Sequence, residues 1–390
     1  MLTLCVERGI IVLGDNMLVK FTVSNYKSFN KPITLNFTET HDYKFNPQCV
    51  KNGLLSKIII YGPNASGKSN LGFALFDIVG LLTDKHTEPR QLDEASFINA
   101  DSDTRIARFE YTFKKGNHTI RYTYEKSKPT TIVYEELHID DEKVFSYDFK
   151  SGRSDFAKMD LICAENLNFE YFEKNFAILR YIANNTMQPE DSYIKFIMHF
   201  VSHMLWFRSL QENGYIGLTT GVDNISSWII ENGLVKEFEK FLNNLAGINV
   251  ELESFVTNSP TPIKVLLEKH KNGPLIFDQA ASNGTRALQL LFYWSRRFKE
   301  VSFLFMDEFD AFYHFDLSRN VIKYIVALDN VQAVFTTHNS YLASNEVLRP
   351  DCYFTLSNGK LASFIDSTER ELREGHNLEK MLRNGEFDVK

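Results

Sequence analysis

Short apolar runs that end in polar or charged residues recur in two distant parts of the chain. Residues 57–61 (KIIIY), 301–306 (VSFLFM) and 331–337 (VQAVFTT) are rich in β-branched and aromatic side chains, over lengths typical of buried strands. Residues 70–76 and 287–298 instead have a pattern typical of helices. Strands that alternate with helices predict a sheet covered by helices, so we expect an α/β core.

A different pattern fills the region between these two parts. Residues 106–150 alternate apolar and polar positions around a turn at Gly116 and Asn117, which predicts an antiparallel sheet. Residues 155–250 are mainly helical in pattern, and residues 251–280 return to strands. The best helical segments are 170–182, 192–208 and 225–245. Since no sustained heptads indicate a long coiled coil, we expect a compact lobe that covers the sheet or docks a partner or DNA.

These patterns divide the chain into four parts. We predict that residues 17–154 and 251–390 form the two halves of the core, the first including the antiparallel sheet. Residues 155–250 would be the helical insertion lobe between them. Residues 1–16 precede the first strand pattern, which starts at Met17, so they are either a mis-assigned start or an extension.

The segment that joins the strand at 57–61 to the helix at 70–76 matches the phosphate-binding pattern G-x-x-x-x-G-K-[ST] without a mismatch. Backbone N–H groups in such a loop point inward and the following helix N-terminus adds positive potential, which makes an anion cradle. We expect Lys68 to reach the β- and γ-phosphates and the Ser69 hydroxyl to ligate Mg²⁺. The candidate nucleotide-binding residues are Gly62, Pro63, Asn64, Ala65, Ser66, Gly67, Lys68, Ser69 and Asn70.

Ionisable residues end the two other apolar runs. Asp307 and Glu308 follow the run at 301–306, where the first carboxylate can hold Mg²⁺ and the second can act as a general base. His338 follows the run at 331–337, roughly one helix and one strand after Glu308, which is the distance to a neighbouring parallel strand. We therefore predict a metal ligand in Asp307 and catalytic roles for Glu308 and His338. The alternatives are that Asp307 and Glu308 form a solvated acidic turn and that His338 has only a structural role.

Ser282 and Gly284 open the apolar helix that precedes the acidic strand. A Ser-x-Gly sequence at a helix N-terminus is a phosphate-binding geometry, and a simple N-cap is the alternative. The order of the motifs, phosphate loop, Ser-x-Gly helix, apolar-Asp-Glu and Thr-Thr-His, resembles that of the ABC-type ATPases. The chain thus looks like a P-loop NTPase of ABC type.

Further residues narrow this resemblance. Residues 18–29 (LVKFTVSNYKSF) resemble the opening strand of the SMC, RecF and OLD branch. Asp310 and His314 stand where OLD-like proteins have Asp and His after the catalytic Glu, although Phe315 replaces their Pro. The similarity to stand-alone OLD-like ATPases of bacteria covers about residues 17–125 and 245–390.

The resemblance implies a mechanism that needs two protomers. In that family, ATP binds between the phosphate loop of one protomer and the Ser-x-Gly helix of the other. Ser282 and Gly284 would then contact the γ-phosphate in trans, and Asp310 would link the two sites. The resemblance also implies that Lys27 belongs to the nucleotide site. ATP would join the two surfaces and hydrolysis would release them.

Two features depart from the pattern of transporter ATPases. The sequence at 282–286 is not LSGGQ, although OLD-like proteins commonly have Ser-x-Gly-Thr. No glutamine stands out as a Q-loop residue, and the nearest candidates are Gln91 and the region of Phe97 and Ile98. A transporter or translation-factor ATPase is therefore disfavoured.

Composition changes this picture little. The chain has 43 Lys and Arg against 50 Asp and Glu, a net charge of −7, so its surface as a whole does not call for nucleic acid. The four cysteines are scattered, which argues against zinc and disulfides and suits a reducing cytoplasm. No apolar run reaches the roughly 18 residues of a membrane helix. A basic stretch on the predicted antiparallel sheet keeps DNA open as a ligand: Lys114, Lys115, His118, Arg121, Lys126 and Lys128.

The function that we expect follows from the OLD-like resemblance. Many members are the ATPase half of anti-phage systems such as PARIS, Septu and abortive-infection pairs. OLD nucleases have a Toprim domain after the histidine motif, and the stretch after His338 is too short for one. We predict a cytoplasmic Mg²⁺-dependent ATPase that senses or scaffolds, forms a homodimer or higher oligomer, and controls a separately encoded nuclease or toxin. The alternative is a RecF-like or SMC-like ATPase that clamps DNA in repair.

Overall fold

The computed structural model describes residues 16–85, 94–169, 176–208, 214–217, 224–258 and 262–389. The strands are β1 (Asn16–Ser24), β2 (Ile33–Asn36), β3 (Val50–Lys51), β4 (Leu54–Leu55), β5 (Lys57–Tyr61), β6 (Ala107–Lys115), β7 (His118–Lys128), β8 (Thr131–Ile139), β9 (Glu142–Asp148), β10 (Ser154–Asp155), β11 (Met204–Arg208), β12 (Gly214–Gly217), β13 (Leu252–Val256), β14 (Lys264–Glu268), β15 (Leu275–Ile276), β16 (Phe303–Asp307), β17 (Gln332–Thr337), β18 (Tyr353–Ser357) and β19 (Lys360–Ser363). The α-helices are α1 (Lys68–Leu82), α2 (Ile178–Asn185), α3 (Tyr193–Ser202), α4 (Ile225–Glu231), α5 (Val235–Ala246), α6 (Phe277–Ala280), α7 (Asn283–Ser295), α8 (Phe315–Val326) and α9 (Leu378–Arg383).

The central sheet is mainly parallel and has the order β12-β11-β16-β17-β5-β18-β19. Strands β11, β16, β17, β5 and β18 run parallel, and the two edge strands β12 and β19 run antiparallel to their neighbours. Every residue of β5, β11, β16 and β17 is buried, as expected for strands covered on both faces. The predicted α/β core is confirmed, and the carboxyl ends of β5, β16 and β17 meet at one edge.

The predicted antiparallel sheet at 106–150 is also present, as part of a seven-stranded sheet with the order β10-β9-β8-β7-β6-β1-β2. Its inner face is aromatic and lies over α1, where the Tyr111 hydroxyl donates to the carbonyl of Ala74 at 2.9 Å. On its other side α1 packs so closely on the central sheet that a Cβ at Gly72 would lie 2.8 Å from Phe305 and Trp206. Helix α1 is therefore held between the two sheets.

The structure corrects the prediction of a helix over 192–208. Helix α3 ends at Ser202, and Met204–Arg208 is the strand β11, which pairs in parallel with β16. The run MLWFR is compatible with a buried helix and with a buried strand. It forms a strand because β16 would otherwise have an unpaired edge on this side. The predicted helix over 225–245 is likewise two helices, separated at Gly233, which has a φ of 68°.

The first predicted helical segment, 170–182, lies partly outside the described residues, and α2 begins at Ile178. The region 155–250 thus contains a strand of the central sheet as well as helices. Its treatment as a separate lobe stays a prediction, as do the other boundaries. Within the described residues, no helix is long and apolar enough to cross a membrane.

Candidate functional site

The loop between β5 and α1 has a backbone that requires glycine. Gly67 is the N-cap of α1 with a φ of 104°, and Ala65 also has a positive φ of 64°. A Cβ at Gly67 would lie 2.9 Å from the Ser28 hydroxyl oxygen and 3.0 Å from the Phe29 ring, so a larger residue would be both strained and crowded. The loop is thereby held against the turn that follows β1. The Asn70 amide donates to the same Ser28 hydroxyl at 2.9 Å.

Lys68 folds back over its own loop. Its Nζ donates to the carbonyls of Gly62 at 2.7 Å and Pro63 at 3.0 Å, and it lies 3.0 Å from Oε1 of Glu308. The side chain is only 4% exposed. A buried ammonium is therefore held by one carboxylate and by two carbonyls of a turn.

Asp307 joins the loop to the neighbouring strands. Its Oδ2 accepts from the Ser69 hydroxyl at 2.7 Å, and its Oδ1 accepts from the Thr336 hydroxyl at 2.7 Å. Burial raises the pKa of Asp307, and the two hydroxyl donors oppose that shift. A hydroxyl and a carboxylate thus stand side by side at the start of α1.

Glu308 lies between Lys68 and His338. Its Oε2 lies 3.0 Å from Nδ1 of His338, while Oε1 faces Lys68. Glu308 has a φ of 46°, an uncommon backbone for a residue with a Cβ, and its N–H donates to the Thr336 hydroxyl at 2.9 Å. The imidazole of His338 is 59% exposed, so this end of the cluster is open.

Asp310 follows Glu308 by two residues and is held by a residue of β17. The Thr337 hydroxyl donates to its Oδ2 at 2.9 Å, and its Oδ1 is buried with no hydrogen-bond partner in the described structure. Burial raises the pKa of Asp310. Asp310 therefore belongs to the same edge of the sheet, although it does not contact Lys68 or Asp307 through these bonds.

Ser282 and Gly284 form a different set of contacts. The Ser282 hydroxyl caps α7 by accepting from the N–H of Thr285 at 3.1 Å. A Cβ at Gly284 would lie 2.7 Å from the carbonyl oxygen of Phe312, so the helix start packs on the segment after Asp310. In the single chain, the geometry of Ser282 is that of an N-cap.

Lys27 lies beside the second turn of α1. It has a φ of 46°, and its Nζ lies 5.5 Å from the ring centroid of Phe73. The N–H of Lys27 donates to the carbonyl of Phe97, and Ile98 forms a bridge with Tyr26. Phe97 and Ile98 thus support the turn after β1. The other Q-loop candidate, Gln91, lies outside the described residues.

Two threonines were missed by the sequence analysis as members of this site. Thr336 and Thr337 are both fully buried, and they direct their hydroxyls to Asp307 and Asp310 respectively. Two adjacent hydroxyls at the end of an otherwise apolar strand were a signal that could have found them. The predicted basic stretch also needs a correction: Lys126 is buried and lies 2.6 Å from Asp77, so it is not part of a surface patch.

The residues present fit a magnesium nucleotide. Ser69 and Asp307 offer the hard oxygen atoms that Mg²⁺ prefers, leaving the other positions for phosphate and water. The hydroxyl of Ser66, inside the loop, is buried without a hydrogen-bond partner in the described structure, and Lys68 supplies the cation. The donor set is therefore that of a phosphate site.

The sequence of this chain matches a known protein family. A family model described as "AAA domain, putative AbiEii toxin, Type IV TA system" matches residues 57–344. No curated protein matches the sequence significantly. Three solved structures are similar over most of their length. An SMC head bound to the C-terminal winged-helix domain of ScpA is 18% identical with a TM-score of 0.45, covering 89% of this chain and 97% of that chain.

Two further solved SMC head domains are also similar to this chain. The SMC head domain of Thermotoga maritima is 17% identical with a TM-score of 0.41, covering 89% of this chain and 97% of that chain. An Smc head with an extended coiled coil, bound to the C-terminal domain of ScpA and derived from Pyrococcus furiosus, is 14% identical with a TM-score of 0.46, covering 95% and 98%. Since the family model spans well over half of the sequence, the chain belongs to this AAA-domain family.

Proposed function

We propose that this protein hydrolyses ATP with Mg²⁺, as the sensor or scaffold subunit of a bacterial anti-phage or toxin–antitoxin system. The observation that carries the ATPase is the meeting of Lys68 and Glu308 beside the hydrogen bond from Ser69 to Asp307. A cation, two carboxylates and a hydroxyl at the end of a phosphate loop are the groups that phosphoryl transfer needs. The family description, which names a putative toxin and a toxin–antitoxin system, supports the defence role.

Binding of the substrate would change the partners of Lys68. Its two backbone carbonyls are neutral acceptors and Glu308 supplies one negative charge, whereas the phosphates of ATP carry several negative charges that attract the buried ammonium more strongly. Lys68 would therefore leave Glu308 and the carbonyls for the phosphates of ATP. Ser69 and Asp307 would hold Mg²⁺, which when bound neutralises charge on the phosphate oxygens.

Release of Lys68 would leave Glu308 as a free carboxylate. Its Oε2 stays oriented by Nδ1 of His338, so Oε1 can accept the proton of an attacking water. His338, with its exposed ring, would orient Glu308 and contact the reacting phosphate or the water. These roles make Glu308 the general base and His338 its catalytic partner.

The general base is tested by Glu308→Gln, measured as steady-state phosphate release and as affinity for a fluorescent ATP analogue. We expect turnover to fall by about 10²–10⁴-fold because proton transfer is lost, while the nucleotide still binds. Glu300→Gln is the matched control, since Glu300 lies just before the amino-terminal end of β16, away from Glu308, and pairs with Arg297. Wild-type turnover in Glu308→Gln would overturn the assignment.

We also propose that Ser282, Gly284 and Asp310 complete the site of a second protomer. The variant Ser282→Arg should bind ATP as a monomer but should not dimerise or turn over. Light scattering with ATP, in a Glu308→Gln background, measures the dimer. Ser295→Arg, at the other end of α7, is the control for a bulky cation on this helix. Full activity and ATP-dependent dimers in Ser282→Arg would contradict the trans site.

The defence role is tested by capture of a partner. Tagged Glu308→Gln protein would be purified with ATP and Mg²⁺ from cells that express its own flanking genes. A stoichiometric protein from a neighbouring gene, absent with Lys68→Ala, is the expected result. If no such protein is captured and the genes leave phage infection unchanged, the defence proposal fails.

The alternative function, a DNA-binding ATPase, is favoured by one observation on the outer face of the antiparallel sheet. Lys20 and Arg121 lie in one cross-strand row with Thr112 between them. Such a row could follow a phosphate backbone, and its affinity for duplex DNA would fall steeply with salt. ATP-dependent duplex binding that Arg121→Glu weakens would support this alternative, and no binding at low salt would end it.

A further inference from the structure

Thr336 makes two hydrogen bonds with one hydroxyl group. Its Oγ1 donates to Oδ1 of Asp307 at 2.7 Å and accepts from the N–H of Glu308 at 2.9 Å. A threonine hydroxyl has one proton to donate and can accept at its lone pairs, so both bonds are satisfied together. The side chain is fully buried, and water does not compete for either bond.

The backbone of Glu308 gives the second bond its importance. A residue with a Cβ at a φ of 46° is strained, and such a backbone persists only when its surroundings hold it. The Thr336 hydroxyl holds the peptide N–H of Glu308, and the carboxylate of the same residue is held by Lys68 and His338. The direction of the Glu308 side chain therefore depends on Thr336.

We propose that Thr336 is the positioning residue that couples the metal-binding carboxylate to the general base. It acts by fixing the side chain of Asp307 and the backbone of Glu308 at once. The inference rests on the proposed ATPase function, since it assigns a shared support to two residues of that reaction. A hydroxyl at this position is required, whereas the methyl group of Thr336 is not.

The experiment compares Thr336→Val, Thr336→Ser and Thr336→Ala with the wild type. Valine has nearly the shape of threonine but no hydroxyl, and serine keeps the hydroxyl. The control is Thr355→Val on β18, which β5 separates from the strand of Thr336. Thr355 is also buried, and its Oγ1 has no hydrogen-bond partner in the described structure. Two readouts are taken: kcat for ATP, and the ratio of ATP-analogue affinities measured with Mg²⁺ and with EDTA.

We expect Thr336→Val to lower kcat and the Mg²⁺-dependent affinity ratio by about 10–100-fold, as is usual when the support of a metal ligand is removed. Affinity in EDTA should change little, because Lys68 and the loop remain. Thr336→Ser should restore both readouts, and Thr355→Val should match the wild type. If the valine variant does not fold, Thr336→Ala gives the same comparison with less crowding.

Two results separate the inference from the function on which it rests. A wild-type protein that neither binds nor hydrolyses ATP would overturn the proposed function. An active wild type with an unaffected Thr336→Val, or with a Thr336→Ser as impaired as the valine variant, would overturn the role of the Thr336 hydroxyl alone.

Discussion

Two clusters of buried charges lie against helix α1, and they differ in whether their partners can be exchanged. The phosphate-loop cluster consists of Lys68, Ser69, Asp307, Glu308 and Thr336. The sheet cluster consists of Asp77, Tyr122, Tyr124, Lys126 and Glu135, on the antiparallel sheet and the later part of α1. Both bury charge, and in each a carboxyl group has a raised pKa because of burial.

In the sheet cluster, the hydrogen-bond partners of the carboxylates all belong to strands or to a helix end. Lys126 and the Tyr124 hydroxyl hold Asp77 at 2.6 and 2.8 Å. Glu135 accepts from the Tyr122 hydroxyl at 2.9 Å and from the first two N–H groups of α2, at 2.6 and 2.8 Å. These partners are strand side chains and a helix end, so no substrate could replace them without unfolding that contact.

In the phosphate-loop cluster, Lys68 instead bonds to carbonyls of a turn, and one side of Glu308 reaches the exposed ring of His338. These partners can be given up to a ligand. Burial and a shifted pKa therefore do not identify a functional site by themselves, because structural networks produce both. The distinguishing property is an exchangeable partner at an open edge.

The largest expected effect is in the sheet cluster. Asp77→Ala leaves the buried Lys126 ammonium without its carboxylate, which should cost about 3–5 kcal/mol of the free energy of unfolding. Urea denaturation measures this loss, and nucleotide affinity of the folded protein should stay near that of the wild type. Glu190→Ala breaks an exposed pair with Lys195 and should cost no more than about 1 kcal/mol. Equal losses of the free energy of unfolding in the two variants would contradict the structural role of Asp77.

The second prediction concerns pH. Burial raises the pKa of Glu135 to about 7, well above the usual range of a glutamate side chain. As the pH rises, the unfolded chain therefore releases this proton before the folded protein does. The contribution of Glu135 to the free energy of unfolding is complete below the pKa of the unfolded chain, and it is lost as the pH rises through about 7. The loss could reach about 3 kcal/mol at 1.36 kcal/mol per unit. Urea denaturation from pH 5 to pH 8 measures it.

Glu135→Gln is the control for that titration. It cannot release the proton, so its free energy of unfolding should depend less on pH over the same window. Its stability at any one pH will also change, because an amide cannot accept from both N–H groups of α2 as the carboxylate does. Parallel pH profiles for wild type and variant would show that Glu135 does not titrate in this window.

The smallest expected effect compares two lysines that both donate to backbone carbonyls. Lys68→Met should weaken nucleotide binding by about 10–100-fold, since it removes a charged hydrogen-bonding group, and should also lower stability because Glu308 loses its buried cation. Lys57→Met at the other end of β5 removes donors to the carbonyls of Leu328 and Val331, so it should lower stability and leave nucleotide affinity near that of the wild type. Isothermal titration and urea denaturation separate the two effects. A loss of nucleotide affinity in Lys57→Met as large as in Lys68→Met would break the comparison.

Much of the fold could be predicted because its signals are local. The glycine pattern of the phosphate loop, the three apolar runs and the alternation over 106–150 each lie in one short segment. The structure has strands at the three runs and over 106–150, and it has a loop that leads into α1 at the glycine pattern. The proximity of Glu308 to His338 was also predictable, since parallel neighbours bring their carboxyl ends to one edge. Their roles in catalysis stay predictions.

The sequence by itself determined the central motifs and their order, because each is defined by side chains adjacent in the chain. The tertiary structure decided which partners they meet. Met204–Arg208 became a strand because β16 offers an unpaired edge, and Lys126 turned inward because Asp77 of α1 lies beneath it. The hydroxyl of Thr336 reached two carboxylate residues through the register of β16 and β17. Strand pairing and buried hydrogen bonds join residues far apart in the chain, and local propensity carries no information about those partners.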